Sequence, residues 1–337
     1  MKKIVFLSII LGYFSTTSQL SAQQNTDNQF TPNGSPILKV FSNFHTSITE
    51  DNDNSAIEIK RVYLGYEYQL SKEFSIEAKL DIGSPDDKSA YSLIKRYAYF
   101  KTAALLYKNG KLSARFGLID LRQFYLQEKF WGYRYIYKSF MDEHRYGPSA
   151  DIGGSVSYAF NEFISADFTI MNGEGYNQLQ ADNTYKGGIG LTVKPLSGLV
   201  ARIYYDETSK GLKQSVLANF LGYKFKNIFS IGAEYNLKYN DAYVEGRDQT
   251  GFSAYATYFI NDQFQLFGRY DRLTSNKLEA DDRPWNLVDD GTAIIGGLQY
   301  KPIKQVKIAL NYQDWYPLAQ NASKEAYLYL SFEYKVD

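Results

Sequence analysis

The stretch FSIEAKLDI, at residues 74–82, alternates strictly between apolar and polar side chains. A β-strand points successive side chains to opposite faces, so a period of two predicts a strand with one apolar and one charged face. Helical spacing does not fit this pattern. Its apolar face consists of Phe74, Ile76, Ala78, Leu80 and Ile82.

The same alternation recurs along the chain, for example at 164–170, 199–206, 229–238 and 306–313. An even number of such segments allows every strand to run antiparallel to its neighbours. We predict sixteen strands, near residues 36–48, 57–70, 74–83, 93–107, 111–119, 150–160, 163–172, 184–193, 199–207, 213–225, 228–239, 251–260, 263–273, 292–300, 305–315 and 325–336.

The predicted links between these strands alternate in length. Seven are short and carry turn residues, such as Asn109-Gly110, Asn161-Glu162 and Asn261-Asp262. The other eight are generally longer and rich in Asp, Asn, Gly and Ser. This pattern places both chain ends on the side of the short turns. The longer links are expected to begin near Thr49, Ser84, Asp120, Gly173, Thr208, Asn240, Thr274 and Tyr316.

The first 22 residues predict a secretory signal peptide. Two lysines precede an apolar run from Ile4 to Tyr13, and Leu20-Ser21-Ala22 resembles a cleavage site. The run of ten residues is shorter than the ~20 that a membrane-spanning helix needs. We therefore expect residues 1–22 to be removed and residues 23–337 to form one domain outside the cytoplasm.

The composition narrows the possible functions. The 337 residues include 44% hydrophobic and 17% aromatic side chains, yet the mean hydropathy is −0.39. With 37 basic and 37 acidic residues the formal net charge is zero, which disfavours a nucleic-acid partner. The chain contains no Cys, which excludes disulfides, cysteine metal ligands and cysteine nucleophiles.

Alternation alone does not separate a membrane barrel from a soluble β-sandwich, because both have one apolar and one polar face. The alternating link lengths, the signal peptide and the aromatic residues near strand ends favour the barrel. A sheet in hydrocarbon must also pair all its backbone groups, which only a closed barrel does. We predict an all-β, transmembrane, antiparallel up-and-down β-barrel of sixteen strands, with short periplasmic turns and long extracellular loops.

Four segments resemble those of Gram-negative outer-membrane porins, and more narrowly the phosphate-selective porins of Bacteroidetes-type organisms. They are RVYLGY (61–66), RFGLID (115–120), EKFWGYRY (128–135) and SADIG (149–153). The resemblance implies contact with outer-membrane lipid, passage of small hydrophilic solutes or anions, and a homotrimer. It also implies recognition by the barrel-assembly machinery, which reads the end of the last strand, here FEYKVD (332–337).

The longest link, residues 121–148, is the candidate constriction loop. It is rich in aromatic residues and follows strand five, where the porins that this chain resembles fold a loop into the lumen. Loops of this length are usually functional or disordered, and so many aromatic side chains favour packing against the barrel wall.

Sixteen strands leave room for an aqueous channel, so passive diffusion of small solutes is the expected function. Basic residues outnumber acidic ones on the predicted inner faces and in the loop, which predicts weak anion preference, with phosphate among the anions. The simpler interpretation is that these charges pair and hydrate the wall, as Arg269 and Asp271 could. The candidate pore-lining residues are Arg61, Lys79, Lys95, Lys101, Arg115, Arg122, Lys129, Arg134, Lys138, Arg202 and Arg269.

Catalysis and cofactor binding find little support. The two histidines, His45 and His144, lie far apart, and no common catalytic or phosphate-binding motif occurs. The loop DNDNS (51–55) lacks the glycine and glutamate of a calcium loop. Glycines at 187, 188 and 190 predict room for neighbouring side chains. We expect no enzyme, cofactor or metal site; the alternatives to a porin are an adhesion barrel and a substrate-specific uptake channel.

Overall fold

The computed structural model describes residues 30–49, 53–83, 97–176, 178–180, 182–279, 281–320, 322 and 324–336. The predicted signal peptide at 1–22 and the candidate residue Lys95 lie outside the described residues. The strands and helices of the described residues all lie in the unit that begins at Pro32.

Sixteen antiparallel strands form one closed sheet. Each strand pairs with its neighbours in the chain, and β1 pairs with β16, from Leu38 opposite Val336 to Ser47 opposite Tyr327. The predicted up-and-down barrel is confirmed, and every predicted strand overlaps an observed one. The strands are β1 Asn33–Ser47, β2 Ser55–Gln69, β3 Phe74–Gly83, β4 Tyr97–Asn109, β5 Leu112–Asp120, β6 Ala150–Ala159, β7 Ile164–Met171, β8 Lys186–Leu196, β9 Leu199–Lys210, β10 Leu212–Phe225, β11 Phe229–Tyr239, β12 Gln249–Phe259, β13 Phe264–Ser275, β14 Gly291–Ile303, β15 Val306–Pro317 and β16 Glu325–Val336.

The two faces of the sheet are inverted relative to a soluble protein. Apolar side chains on the outer face are exposed, with Phe116 at 72% and Leu310 at 61%. Polar side chains on the inner face are buried, with Asn236 and Asp271 at 0%. A soluble sandwich would bury the first set and expose the second. The alternation therefore has its apolar side directed outward, as in a barrel surrounded by lipid.

The short links are tight turns built on side-chain caps. The Asn161 Oδ1 atom accepts hydrogen bonds from the backbone N–H groups of Phe163 and Ile164, both at 2.8 Å. Asn261 does the same for Gln263 and Phe264, also at 2.8 Å. An asparagine that bonds the backbone two and three residues onward stabilises a turn locally, which explains why it marks these links in the sequence.

One link differs from its expected length. We predicted a longer loop beginning near Thr208, whereas β9 continues to Lys210 and Gly211 alone connects it to β10. Gly211 has φ +86°, a left-handed conformation that glycine adopts without steric cost. The polar residues at 207–210 resemble a loop in composition, but they pair with β10, as Thr208 does with Gln214. Polar residues therefore do not end a strand whose backbone is still paired with its neighbour.

The link between β5 and β6 contains two short helices, α1 (Tyr125–Trp131) and α2 (Phe140–Glu143). Helix α1 ends at Gly132, which has φ +74° and donates its backbone N–H to the Glu128 carbonyl at 2.9 Å. A 3-10 turn at Asp241–Tyr243 lies in the link after β11. None of the helices in the described part of the chain is long and apolar enough to cross a membrane.

Candidate functional site: the lumen and its constriction loop

The link between β5 and β6, residues 121–149, folds into the barrel and is called the constriction loop below. Its side chains form a hydrophobic cluster with the inner faces of strands on the far side of the barrel. The loop is therefore held by the wall opposite its own attachment point. The cluster joins Leu126, Trp131, Tyr133, Tyr135 and Ile136 of the loop to Phe41, Val200, Phe220, Tyr255, Phe267, Ile295 and Ala309 of the wall.

Tyrosine hydroxyl groups anchor the loop at defined points of the wall. The Tyr133 hydroxyl donates to Gln265 Oε1 at 3.0 Å. The Tyr135 hydroxyl, on a side chain that is 1% exposed, donates to Gln299 Oε1 at 2.9 Å. Since a buried hydroxyl needs a partner, these bonds define one position for the loop.

Glycines on the inner face make room for bulky side chains. A Cβ atom at Gly251 would overlap the ring of Phe140, and one at Gly222 would overlap the ring of Phe130. On β8, a Cβ atom at Gly190 would overlap the guanidinium group of Arg202. Gly188 leaves the same kind of space for Tyr204. The predicted role of the β8 glycines is confirmed at these two positions.

Arg202 and Arg269, two candidate pore-lining residues, are enclosed between the wall and the loop. They are 3% and 4% exposed. Arg202 donates to both Asp167 carboxylate oxygens, at 2.6 and 2.9 Å, and to the Arg122 carbonyl at 3.1 Å. Both guanidinium groups also lie over loop aromatic rings, at 5.3 Å from Tyr125 and 5.0 Å from Trp131. Their role in this geometry is to position the loop.

The other described wall candidates, Arg61, Lys79, Lys101 and Arg115, also lie on the inner face. Arg61 Nε is 3.3 Å from Asp81 Oδ1. Lys79 pairs with Glu77 at 3.3 Å and with Asp120 at 3.1 Å. Lys101 donates to the Ser149 hydroxyl and lies 4.4 Å from the centre of the Tyr176 ring. Arg115 is half-buried on β5.

The loop candidates have different environments. Lys129 is exposed on α1, whereas Arg134 is held between Glu128 at 3.3 Å and Asp142 at 2.8 Å. Lys138 approaches Glu143 only at 3.9 Å. The guanidinium group of Arg122 lies 5.8 Å from the centre of the Tyr125 ring. Burial raises the pKa of the Glu128 carboxyl, and the charge of Arg134 opposes that effect.

Two β-bulges turn additional lysines inward. The pairing of β1 with β2 passes from Phe41–Arg61 to Ser42–Ile59, which leaves Lys60 as the extra residue. The pairing of β3 with β4 skips Lys101 in the same way. Such a bulge re-aims side chains relative to the regular alternation.

Lys60 was missed as a candidate, although the sequence carries a signal for it. The apolar positions of β2 shift from odd numbers, Ile57 and Ile59, to even numbers, Val62 and Leu64. A change of phase within one alternating segment indicates an inserted residue, so the shift locates the bulge at 60–61.

Three cavities surround loop residues 137–146. The first, of about 590 Å³, borders β11–β16 and is called the acidic cavity, because five carboxylates and only two basic residues line it. The second, of about 640 Å³, borders β1–β4, β15 and β16 and is called the tyrosine cavity. The third, of about 400 Å³, is called the basic cavity and is lined by five basic and two acidic residues. Charge is thus unevenly distributed around the loop.

Within the described ranges, no group of three or more His, Asp or Glu side chains is arranged to hold a metal ion. His144 packs in the loop against Phe140, with ring centres 4.5 Å apart, and against Trp315 at 5.7 Å. Burial lowers the pKa of its imidazole. Its surroundings are those of a packing residue.

A closed sixteen-stranded antiparallel barrel with an apolar outer face and a loop folded into its interior is the architecture of the porin class of β-barrels. No protein-family model matches this sequence, and no curated protein matches it. The narrower resemblance to phosphate-selective porins remains a prediction.

Solved outer-membrane channels share the fold along nearly the whole chain. The barrel is similar to OprB of Pseudomonas putida, with a TM-score of 0.70, 10% identity, and coverage of 90% of this chain and 94% of that chain. It is also similar to OmpF of Salmonella typhi in complex with daunomycin, with a TM-score of 0.67 and 12% identity; the match covers 90% of this chain and 97% of that chain. For an anion-selective porin from Comamonas acidovorans the TM-score is 0.65 and the identity 11%, and the match covers 91% of this chain and 100% of that chain. At these identities the likeness establishes the fold.

Proposed function

We propose that this protein is a porin of the Gram-negative outer membrane, through which small hydrophilic solutes diffuse passively. The observation that carries the proposal is the inverted barrel, apolar outside and charged around interior cavities. A barrel of sixteen strands is wide enough for water once side chains and one loop have entered it. The constriction loop narrows this passage.

The proposed location rests on the outer face and on the predicted export signal. Lipid contacts the exposed apolar belt, and the signal at residues 1–22 directs the chain across the inner membrane. Assembly then requires the barrel-assembly machinery. The homotrimer implied by the resemblance is also part of this proposal, and chemical cross-linking in native membranes tests it.

We further propose weak anion preference, with phosphate among the anions. The tyrosine and basic cavities support it, because basic residues outnumber acidic ones along their combined lining. The acidic cavity opposes this preference, because the three cavities together are lined by nine acidic and seven basic residues. Focused positive potential in a channel with low-dielectric walls raises the local anion concentration.

Planar-bilayer recording of the purified protein tests both proposals. Ohmic single-channel steps support the porin, whereas repeated insertion without conductance contradicts it and favours a binding or adhesion barrel. In a KCl gradient, the sign of the reversal potential reports the selectivity. A cation-selective potential would contradict the anion preference and leave the channel intact.

A second candidate function is a substrate-specific uptake channel. The tyrosine cavity favours it, because five tyrosine side chains and several charged groups line one cavity beside the loop. A specific channel would show current block that depends on the identity of the solute, whereas a general diffusion pore would show block that depends on solute size alone.

A further inference from the structure

The bulge in β2 places two consecutive basic residues, Lys60 and Arg61, on the lumen side of one strand. A regular strand directs neighbouring residues to opposite faces, so this pair exists because of the extra residue. Both side chains line the tyrosine cavity. Bulges are common near functional sites, because they aim a side chain that regular pairing would direct elsewhere.

Lys60 differs from its neighbours in lacking a carboxylate partner. Among the described residues it forms no ion pair; its contacts are the Ile136 carbonyl at 3.5 Å and the Tyr329 ring, whose centre lies 5.8 Å away. Arg61 and Arg134, which line the same cavity, each have carboxylate partners within 3.3 Å. The carboxylates of Glu58 and Glu143, which line the same cavity, lie beyond ion-pair distance of Lys60, so an anion from solution can approach its ammonium group directly.

The other side chains that line the cavity suit a ligand that contains a ring. Its volume of about 640 Å³ lies within the roughly 300–1,000 Å³ that is usual for small-molecule sites. Sites of this kind combine aromatic walls with a few polar groups that fix the orientation of the ligand. Here the aromatic side chains are Tyr99, Tyr135, Tyr137, Tyr176 and Tyr329.

We propose that the tyrosine cavity binds ring-containing organic anions the size of a monosaccharide, with the carboxylate or phosphate group at Lys60 and the ring against the tyrosines. This inference rests on the proposed channel function and names the class of solute that the channel retains longest. Arg61, Arg134 and Lys138 add positive potential around the anion. Glu58, Asp81 and Glu143 line the same cavity and reduce that potential, which leaves four basic residues against three acidic ones.

Solute block of single-channel current tests the site. Glucuronate, glucose 6-phosphate, glucose and inorganic phosphate are added to the wild-type channel in KCl of low concentration, where screening is weak. We expect half-block by the two sugar anions at a concentration about tenfold below that of glucose, as one charge-assisted hydrogen bond implies. Block by both sugar anions supports a site for either anionic group.

The Lys60→Gln variant should raise the half-blocking concentration of both sugar anions by about fivefold and leave that of glucose unchanged. Lys60→Arg keeps the charge and should restore most of the affinity. Lys213→Gln is the matched control, because the Lys213 side chain is 69% exposed near the start of β10, where it pairs with Glu207 on the outer face. It should behave as wild type.

The possible failures are distinguishable. A wild-type protein that inserts without conducting contradicts the proposed function itself. A conducting channel that glucose and glucuronate block equally, or whose block by sugar anions is the same in Lys60→Gln, overturns the site while the porin stands. Equal block by inorganic phosphate and glucose 6-phosphate overturns the role of the tyrosines.

Discussion

Arg269 and Asp271 form a bidentate ion pair on the inner face of β13. Arg269 Nε and Nη2 donate to the two carboxylate oxygens of Asp271 at 2.8 and 2.6 Å, and both side chains are fully enclosed. The remaining nitrogen, Nη1, donates to the Lys138 carbonyl of the constriction loop at 2.7 Å. The pair therefore orients a guanidinium group whose free side binds the loop.

Replacing this arginine should release part of the loop. In Arg269→Gln we expect larger and noisier single-channel currents, because the Lys138 carbonyl loses its donor and Asp271 remains buried without a partner. Breaking a buried ion pair costs about 3–5 kcal/mol, so the barrel should also unfold at lower temperature. Bilayer recording and heat-dependent migration on detergent gels measure the two effects. Currents and migration identical to wild type would show that the arginine does not hold the loop.

A single methyl group added at Gly251 should disturb the packing of α2 against the barrel wall. In Gly251→Ala the new Cβ atom overlaps the Phe140 ring, so the ring must move. Overpacking of this kind costs about 1–3 kcal/mol. Gly187→Ala is the control, since a Cβ atom at Gly187 meets open space. We expect a lower unfolding temperature and altered conductance for the first variant only; equal behaviour of both would contradict the packing of Phe140 on β12.

Thiol labelling can test which face meets lipid, because the chain has no Cys of its own. In vesicles, Leu310→Cys on the outer face should resist a water-soluble maleimide, whereas Gln313→Cys, which lines the acidic cavity, should react. In detergent-unfolded protein both should react alike. Rapid labelling of Leu310→Cys in intact vesicles would place water on the apolar face.

The constriction loop should contribute to the acid sensitivity of the barrel through His144. Burial lowers the pKa of His144 below its ordinary value of 6.5, so in acid the unfolded chain binds a proton before the native state does. The stability linked to His144 is therefore present above about pH 6.5 and is lost as the pH falls below it.

The His144→Phe variant removes this titration. We expect its unfolding temperature to fall less between pH 7.5 and pH 5 than that of wild type, as circular dichroism can measure. The carboxylates that titrate nearby are common to both proteins, so the difference isolates the histidine. An equal loss in the two proteins would mean that His144 does not contribute.

The approximate positions of the strands were predictable because alternation is a local property. Each segment such as 74–82 states its own period, and asparagines at 161 and 261 cap their own turns. The longer loop predicted near Thr208, where Gly211 alone connects the strands, was wrong because the sequence pattern reports only local structure. Polar residues at 207–210 indicate a loop unless their pairing partners are known, and those partners belong to β10.

The partners of the charged inner-face side chains were not predictable in this way. The sequence places Arg202 on an inner face, but its partner Asp167 lies on β7, and the guanidinium group reaches it across the space left by Gly190. That contact depends on the register of three strands and on the absence of a side chain between them. Arg202 therefore holds the loop through contacts between strands, and no single segment of the sequence reveals them.

The sequence by itself determined a sixteen-stranded barrel with opposed apolar and charged faces, since side-chain direction in a strand depends only on position along it. The tertiary structure decided which wall residues hold the loop, which inner-face charges pair, and that Lys60 remains without a carboxylate partner among the described residues. These outcomes depend on closure of the sheet and on the register between strands, because a charge is paired or available only relative to residues distant in the chain.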